Sequence, residues 1–560
     1  MPYPRHDIKA PHLTGNLLRL AVRLAENEPT ATLLRAQMLG QVGVDRLRAA
    51  RVDEPPCPWP HHPAPVTDVP TGPPDLVDLA TRRGDKPGPF ETVTDFREAY
   101  ASGRTTPRDV AGRLLRAVEE SERHAPPLRV FIALHADDVR RDAEAATQRH
   151  REGKVLGPLD GVPVAVKDEL DVQGYGTTVG TSFLGREPAA RDATVVARLR
   201  AAGAVVVGKA NMHEIGIGVT GLNPHHGACR NPYDPGHKTG GSSSGPAAAV
   251  AAGFCPVAVA ADGGGSIRIP AALCGQVGLK ATFGRVSEVG AAPLCWSVAH
   301  VGPVAATARD CALAYAVMAG PDVGDPHTLA QPPLGLPGFD DAGLQGLRVG
   351  VYRAWSEDAD PAVVSLGRGL EEGLRRAGAT VREVEIPDLA LFHVAHLVTI
   401  VSEMEEAHRA WLTERRADYG LDVRLNVAVA RGLRSSDYVR AQRLRGRAMA
   451  VMARVLEEVD VVLTPATAIP APPIATAALA CGESHLSELN ALMRYATLAN
   501  LTGLPAISFP AGYTAGGLPV GYQAMGRPWE EALLLRVAHV VEGFTERRPP
   551  RWHARLLGEG

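Results

Sequence analysis

Three stretches of the chain gather residue types that could do chemistry. Lys238-Thr-Gly-Gly-Ser-Ser-Ser-Gly245 sets serines among glycines and runs on into the small residues PAAAVAAG. Twenty-four residues beyond Ser242 stands Ser266, inside Asp262-Gly-Gly-Gly-Ser266-Ile-Arg268. Upstream, Val164-Ala-Val-Lys167-Asp168 ends an apolar run on a lysine. A serine hydroxyl becomes a nucleophile when a base takes its proton. A lysine amine can be that base only when it is neutral. Taken singly, each stretch has a plainer reading. Gly/Ser loops are usually turns, and a lysine ending a strand is usually solvated.

Two familiar patterns occur in the wrong setting. Gly241-Ser-Ser243-Ser-Gly245 fits G-x-S-x-G, but a nucleophile elbow needs a strand directly before it. The residues before it, Asn231-Pro-Tyr-Asp-Pro-Gly-His237, cannot form a buried strand. Gly216-Ile-Gly218-Val-Thr-Gly221 fits G-x-G-x-x-G, yet Asn211-Met-His-Glu214 separates it from the strand ending near Gly208. Dinucleotide binding is therefore not expected. His225, His226, Cys229 and His237 imitate a metal cluster, but their spacing matches no zinc pattern and Pro and Gly crowd them. They are expected to be structural or solvated, with no metal site.

Apolar runs alternating with helical patterns must position these loops. Strands are expected at Val162–Val166, Ala204–Val207, Pro256–Ala261, Leu347–Tyr352, Val459–Leu463 and Ala506–Phe509. Helices are expected at Asp192–Ala202, Gly245–Ala252 and Ala362–Ala377, and Thr106-Pro107-Arg108-Asp109 has the layout of a helix start. Buried apolar strands between amphipathic helices argue an α/β layered fold. Residues 320–346, rich in Pro, Gly and Asp, read as a long loop, and 388–458 as mostly helical. Ahead of this body, residues 10–50 read as two helices. Leu13, Leu17, Leu20 and Leu24 recur along the first, with Arg19 and Arg23 on another face. Nine prolines between Pro55 and Pro74 then make a linker or a wrapped arm. The extension spans roughly residues 1–80 and the main body 90–548.

Composition narrows the class. The chain has 560 residues, about 3.7 domain equivalents at ~150 residues each. Its 59 basic and 62 acidic residues nearly balance, which argues against a general nucleic-acid binder. No run is apolar enough to span a membrane, and the N-terminus lacks a signal-peptide layout. The seven cysteines are scattered without a CxxC pair, as reduced thiols in a cytoplasmic protein would be. Only seven of the basic residues are lysine and 52 are arginine, a coding bias that makes each lysine worth examining.

Together the three stretches resemble the amidase signature family, whose catalytic set is Ser–cis-Ser–Lys. The resemblance covers most of the chain: GVPVAVKDELDV, DATVVARLRAAGAVVVGKANMHE, TGGSSSGPAAAVAAG, ADGGGSIRIPAALCGQVGLKATFGRVS, VDVVLTPAT and NLTGLPAISFPAGY. IKAPHLTG at 8–15, SSDYVRAQ at 435–442, and the choices of Ser244 and Gly263 are similar to the plant-type fatty acid amide hydrolases of that family.

The resemblance implies an α/β amidase-signature fold. A large mixed β-sheet is expected with helices on both faces, preceded by a helical arm. It implies Ser266 as nucleophile, Lys167 as base and Ser242 as the relay between them, with a cis peptide at Gly241–Ser242. The physics agrees. Three glycines before Ser266 let the amides of Gly263, Gly264, Gly265 and Ser266 converge as an oxyanion hole. Losing one such donor typically costs ~3–4 kcal/mol of barrier. Bringing an ordinary lysine from about 10.4 to about 7 corresponds to roughly 4.6 kcal/mol of environmental bias. Asp168 would oppose that bias, so it is expected to turn away. Ser243 is expected to steady the loop, and Asp262 to pair with Arg268.

Further implications concern substrate and partners. The plant-type resemblance implies N-acylethanolamines and related fatty acid amides, hydrolysed through an acyl-enzyme without cofactor or metal. It implies an apolar channel built by the arm and residues 388–458, with Ile8 and Ala10 along it, and a homodimer. The leucines of the first arm helix are expected to pack on the body or across a dimer. Peripheral contact with an anionic membrane is the other use of that helix. Two alternatives stay open: a relative with aryl, peptide or short-chain preference, and the glutaminase component of a tRNA-linked amidotransferase. The arm and linker argue against the second.

Overall fold

The apolar runs between the helices become strands of one mixed sheet. The computed structural model describes residue 8 and residues 10–64, 74–81 and 88–558. Lys9, Lys86 and part of the Pro-rich stretch lie outside the described residues. In chain order the strands are β1 (Phe131–Ala133), β2 (Pro163–Lys167), β3 (Val205–Ala210), β4 (Arg230–Asn231), β5 (Asp234–Lys238), β6 (Val257–Ala261) and β7 (Val277–Lys280). Then follow β8 (Val301–Ala305), β9 (Arg348–Val351), β10 (Thr380–Glu383), β11 (Val461–Pro465), β12 (Ala506–Tyr513) and β13 (Pro519–Gly526). Eleven of them form one sheet in the order β1-β3-β2-β6-β8-β7-β12-β13-β11-β9-β10, and β4 with β5 makes a separate hairpin.

β2 runs parallel to both β3 and β6. β8, β7, β12 and β13 follow with antiparallel pairings, and β9 is parallel to β11 and β10. β2, β6 and β8 are buried at every position, and β2 and β6 read as apolar runs without alternation. Successive side chains along a strand point to opposite faces. Accordingly Val461 and Leu463 of β11 join one apolar cluster while Val462 joins another, and Ala524 and Met525 of β13 divide in the same way. Both faces of the sheet are therefore covered. Helices Ala308–Met318, Pro361–Arg376 and Glu531–Phe544 pack into the first cluster, and Leu389–Ala407, Ser435–Glu458 and Thr497–Thr502 into the second. This is the α/β fold that the sequence implied.

Two local differences matter. Residues 10–50, all described, hold three helices where two were expected: α1 (Gly15–Glu26), α2 (Thr30–Gln41) and α3 (Val44–Ala49). In α1 the packed face is Leu18, Val22 and Ala25, and Leu17 and Leu20 stand 61% and 52% exposed. The leucine spacing marked a real stripe, but in one chain that stripe meets solvent. A strand, β5, also precedes the serine-rich loop. It belongs to the half-exposed hairpin, not to the main sheet, because Asp234, Pro235 and Gly236 cannot fill a buried strand.

The arm is tied down by specific contacts. Leu13 and Ser484 exchange two main-chain hydrogen bonds at 2.9 Å. Arg424 grips Glu26 at 3.0 and 2.7 Å, and Arg48 grips buried Asp437 at the same two distances. Bidentate charge-assisted pairs of this kind fix geometry as well as energy. The chain's last described residues pack back too, with the amides of Leu556 and Leu557 donating to Glu91.

Candidate active site

Parallel pairing of β2 with β6, both inside the sheet, places two chain segments side by side at the same, carboxyl end of the strands. β2 ends on Lys167, and β6 ends on Ala261, just before Asp262. The Lys167 Nζ donates to Ser242 Oγ at 2.9 Å and to the Ala261 carbonyl at 3.2 Å. Ser242 reaches this point from the loop between β5 and helix Ser244–Ala251, and the Gly241–Ser242 peptide is cis. Ser243 ties that loop to β6: its Oγ donates to the Ala261 carbonyl at 3.0 Å, and its amide donates to the Ser266 carbonyl at 3.3 Å. Lys167, Ser242 and Ser266 are all buried and line one small cavity of about 20 Å³.

The segment carrying Ser266 is held by a buried ion pair. Arg268 Nε meets Asp262 Oδ2 at 3.0 Å and its second nitrogen meets Oδ1 at 3.1 Å. Asn500 donates to both the side chain and the carbonyl of Asp262 at 2.9 Å, and Gln523 accepts from Arg268 at 2.9 Å. Burial works against a charged Asp262, but Arg268, with Asn500 and Lys280, outweighs it and holds the carboxyl well below the usual range.

The oxyanion expectation is altered at one position. The Gly265 amide donates to Asp262 Oδ1 at 2.6 Å, because the turn wraps around that carboxylate. The amides of Gly263, Gly264 and Ser266 make no hydrogen bond among the described residues and remain the available donors. The Gly263 carbonyl faces His396 Nε2 at 2.8 Å, which fixes the orientation of this turn from helix Leu389–Ala407. Burial pushes His396 down to about 4, so the ring is neutral at pH 7.

Asp168 turns away from Lys167. Its Oδ1 lies 3.2 Å from Lys209 Nζ, and its Oδ2 accepts from the Gly180 amide at 3.1 Å and from Thr178. The carboxylate that does face Lys167 is Glu169, with Oε2 2.6 Å from Nζ. Sequence reading passed it over: Glu169 lies in the turn just past the end of β2, so strand alternation gives no sequence signal for this contact. Gly216 was set aside with the G-x-G-x-x-G pattern, yet its loop lines the cavity. A side chain there would meet Leu294 and Ser242 Oγ. Leu294, Cys295, Ile400, Met404 and Met493 complete walls that no local motif marked.

A second cavity of about 180 Å³ is lined mainly by apolar residues of the arm and of helices Leu389–Ala407 and Leu486–Met493. Ile8 and Met38 line it, and Ile400 and Met493 belong to both cavities. Ala10 is half-buried and stands outside this lining. A larger cavity, about 540 Å³, lies among Phe90, Arg309 and Arg547 and contains no residue of the Lys167–Ser242–Ser266 group. The histidines that imitated a metal cluster have separate partners: His225 faces Glu214 at 2.9 Å, His226 the Thr181 carbonyl at 2.9 Å, and His237 Asp234 at 3.2 Å.

Fold and site together define an amide hydrolase of the amidase signature class. The family pattern described as Amidase matches residues 113–535, and the chain belongs to the amidase signature family. A fatty acid amide hydrolase of Oryza sativa subsp. japonica is 38% identical over 98% of this chain and 96% of its own length. A glutamyl-tRNA(Gln) amidotransferase subunit of Thioalkalivibrio sulfidiphilus is 34% identical over 83% of this chain and 98% of its own. Among solved structures, a chain from a vestigial protein complex linked to the origins of an s-triazine catabolic enzyme superposes with a TM-score of 0.75. It is 34% identical and covers 82% of this chain and 100% of that chain.

Proposed function

We propose that this amidase hydrolyses fatty acid amides of the N-acylethanolamine type to fatty acid and amine. The observation that carries the substrate class is the shared wall at Ile400 and Met493: an apolar cavity adjoins the one holding Ser242 and Ser266. An acyl chain needs such a cavity, and a carbonyl beside the serines would place the chain there. The likeness to the rice fatty acid amide hydrolase, which extends through the arm, supports the same reading.

In this mechanism Ser266 Oγ attacks the amide carbonyl. Its proton passes to Ser242 as the Ser242 proton passes to the Lys167 lone pair, and the relay then protonates the leaving amine. The amides of Gly263, Gly264 and Ser266 receive the oxyanion. Water, activated through the same relay, releases the acid. The protein uses no cofactor in these steps.

The exposed Leu17–Leu20 stripe of α1 supports a further contact, either between two copies of the chain or with a lipid surface. Among the described residues no helix is long and apolar enough to cross a membrane, so contact with lipid would be peripheral.

A hydrolysis panel of acetyl, octanoyl, palmitoyl and arachidonoyl amides tests the substrate class. Rising kcat/KM with chain length is expected. A flat profile, or one that favours acetyl, leaves an amidase of another acyl preference.

A further inference from the structure

The oxygen atoms around Lys167 Nζ are not equivalent. Ser242 Oγ at 2.9 Å carries a proton it can give. The Ala261 carbonyl at 3.2 Å can only accept. Glu169 Oε2 at 2.6 Å belongs to a carboxyl group whose chain position leaves it buried against the lysine. That contact is an ion pair and not an aligned hydrogen bond. No donor satisfies this buried oxygen among the described residues. A buried carboxylate oxygen without a hydrogen bond is costly, and its retention calls for an explanation.

We propose that Glu169 is the positioning residue of the base: its carboxylate orients the Lys167 amine toward Ser242 and stabilises the ammonium that forms when the serine proton arrives. The assignment rests on the Lys167–Ser242–Ser266 reading. A neutral amine has two N–H bonds and one lone pair. Two of its neighbours, the Ala261 carbonyl and the Glu169 carboxylate, attract N–H bonds. The lone pair is then left for the Ser242 hydroxyl, the one neighbour with a proton to transfer. During attack the Ser266 proton goes to Ser242 Oγ and the Ser242 proton to Nζ. The resulting ammonium lies against a negative oxygen at 2.6 Å in a site shielded from water. A base held by a third group is the recurring design of activated nucleophiles.

The surroundings leave Glu169 as the charge that counts at this nitrogen. Asp168 is engaged by Lys209. Burial first, then Glu403, Glu169 and Glu288, pushes the Cys295 thiol well up, so it is uncharged at neutral pH. Glu288 is pushed up to about 8 by desolvation first and then by Asp325, Glu169 and Glu403. Glu403 is raised by burial while it accepts from Ser297 and Tyr438.

The test is the pH dependence of covalent labelling by a fluorophosphonate, compared among wild type, Glu169→Gln, Glu169→Asp and Ser266→Ala. Glu169→Gln keeps the volume and removes the charge. Its acid-side fall in labelling rate is expected to move to lower pH by about one unit or more, the effect of removing an opposite charge at contact distance. Its plateau rate is expected to fall roughly tenfold or more, with Glu169→Asp lying between it and wild type. Labelling lost in Ser266→Ala but unchanged in plateau and pH profile in Glu169→Gln overturns this assignment alone. A Glu169→Gln protein that loses only thermal stability, with a wild-type pH profile, does the same and leaves Glu169 a structural residue. Undiminished labelling of Ser266→Ala removes the triad reading and this assignment with it.

Discussion

Asp262 and Arg268 form a bidentate pair with no solvent exposure, six residues apart and on either side of Ser266. The pair is the frame on which the Gly263–Ser266 turn is wound. Asp262 Oδ1 takes the Gly265 amide and Oδ2 the Ile267 amide, while Arg268 reaches across to Asn500 and Gln523. One carboxylate therefore sets which amides are left to face a substrate.

Arg268→Met leaves that carboxylate buried without its partner. Breaking a buried pair from one side costs about 3–5 kcal/mol. Urea unfolding should show a loss of that size, and labelling of Ser266 should fall with it. Asp262→Asn keeps one acceptor and should be milder. A stability loss below about 1 kcal/mol in Arg268→Met would mean that Asn500, which bonds Asp262 directly, holds the turn unaided.

Ser266→Ala should abolish amide hydrolysis, by roughly 10⁴-fold or more, with circular dichroism and melting temperature unchanged. Lys167→Ala should come close to it, since Ser242 loses the group that draws its proton. Lys167→Arg should not rescue, because a guanidinium stays protonated at any working pH. Hydrolysis by Ser266→Ala at the wild-type rate refutes the mechanism.

Each stretch that meets at this candidate site is local and could be found in the sequence, but its role came only from the resemblance that the three carry together, since Lys167 lies 75 residues from Ser242 and 94 from Ala261. Lys167 ends an apolar run, and the serines sit in glycine-rich loops whose composition already signals unusual backbone. The arginine bias sharpened it: of the five described lysines only Lys154 is exposed, so a lysine here is seldom an idle surface charge. What could not be read depends on distant pairing. His396 meets Gly263 from 133 residues away, and Ile400 and Met493 enter from two separate helices. β7, β8 and β13 contain Gly or Pro and break the usual strand signature, while β10 is a largely exposed edge strand. The faces of α1 could not be told apart either, because Leu18 with Val22 and Leu17 with Leu20 both make apolar helical spacing.

His396 gives a pH prediction. Its ring stays neutral down to about 4 in the folded protein, whereas an unfolded histidine takes a proton near 6.5. Between those values the unfolded chain binds more protons, so stability falls as pH drops from 6.5 toward 4, by at most ~3 kcal/mol for this residue. His62 and His408, both pushed to about 4 by burial, add slopes of the same sign. The comparison is therefore wild type against His396→Gln, which keeps a donor for the Gly263 carbonyl. The variant should show a shallower decline over that window in denaturant titrations. Equal slopes would mean that His396 titrates alike in both states.

The stripe on α1 can be tested without disturbing the core. Leu17→Glu with Leu20→Glu alters two exposed positions, so melting temperature and acetyl-amide hydrolysis should be nearly unchanged. Sedimentation should show a lighter species if two copies meet there, and liposome pelleting should weaken if lipid does. A double variant that behaves as wild type in both assays removes α1 as a contact surface.

Met38 gives a way to test the apolar cavity separately from the serines. It lies on α2 of the arm and lines the apolar cavity, but it is absent from the lining shared by Ser242 and Ser266. Met38→Asp should leave the serine, its relay and the oxyanion amides in place while setting a charge where a hydrocarbon chain would lie. Losing the contact of two to four methylenes at ~0.8 kcal/mol each lowers kcat/KM by roughly 15- to 200-fold. That loss should appear with palmitoyl amides and be absent with acetyl amides, which do not reach the arm. Fluorophosphonate labelling should be unchanged, since it reports the nucleophile alone. An equal loss for long and short amides would place the effect on folding or on the catalytic residues, and the acyl chain would then have to run elsewhere.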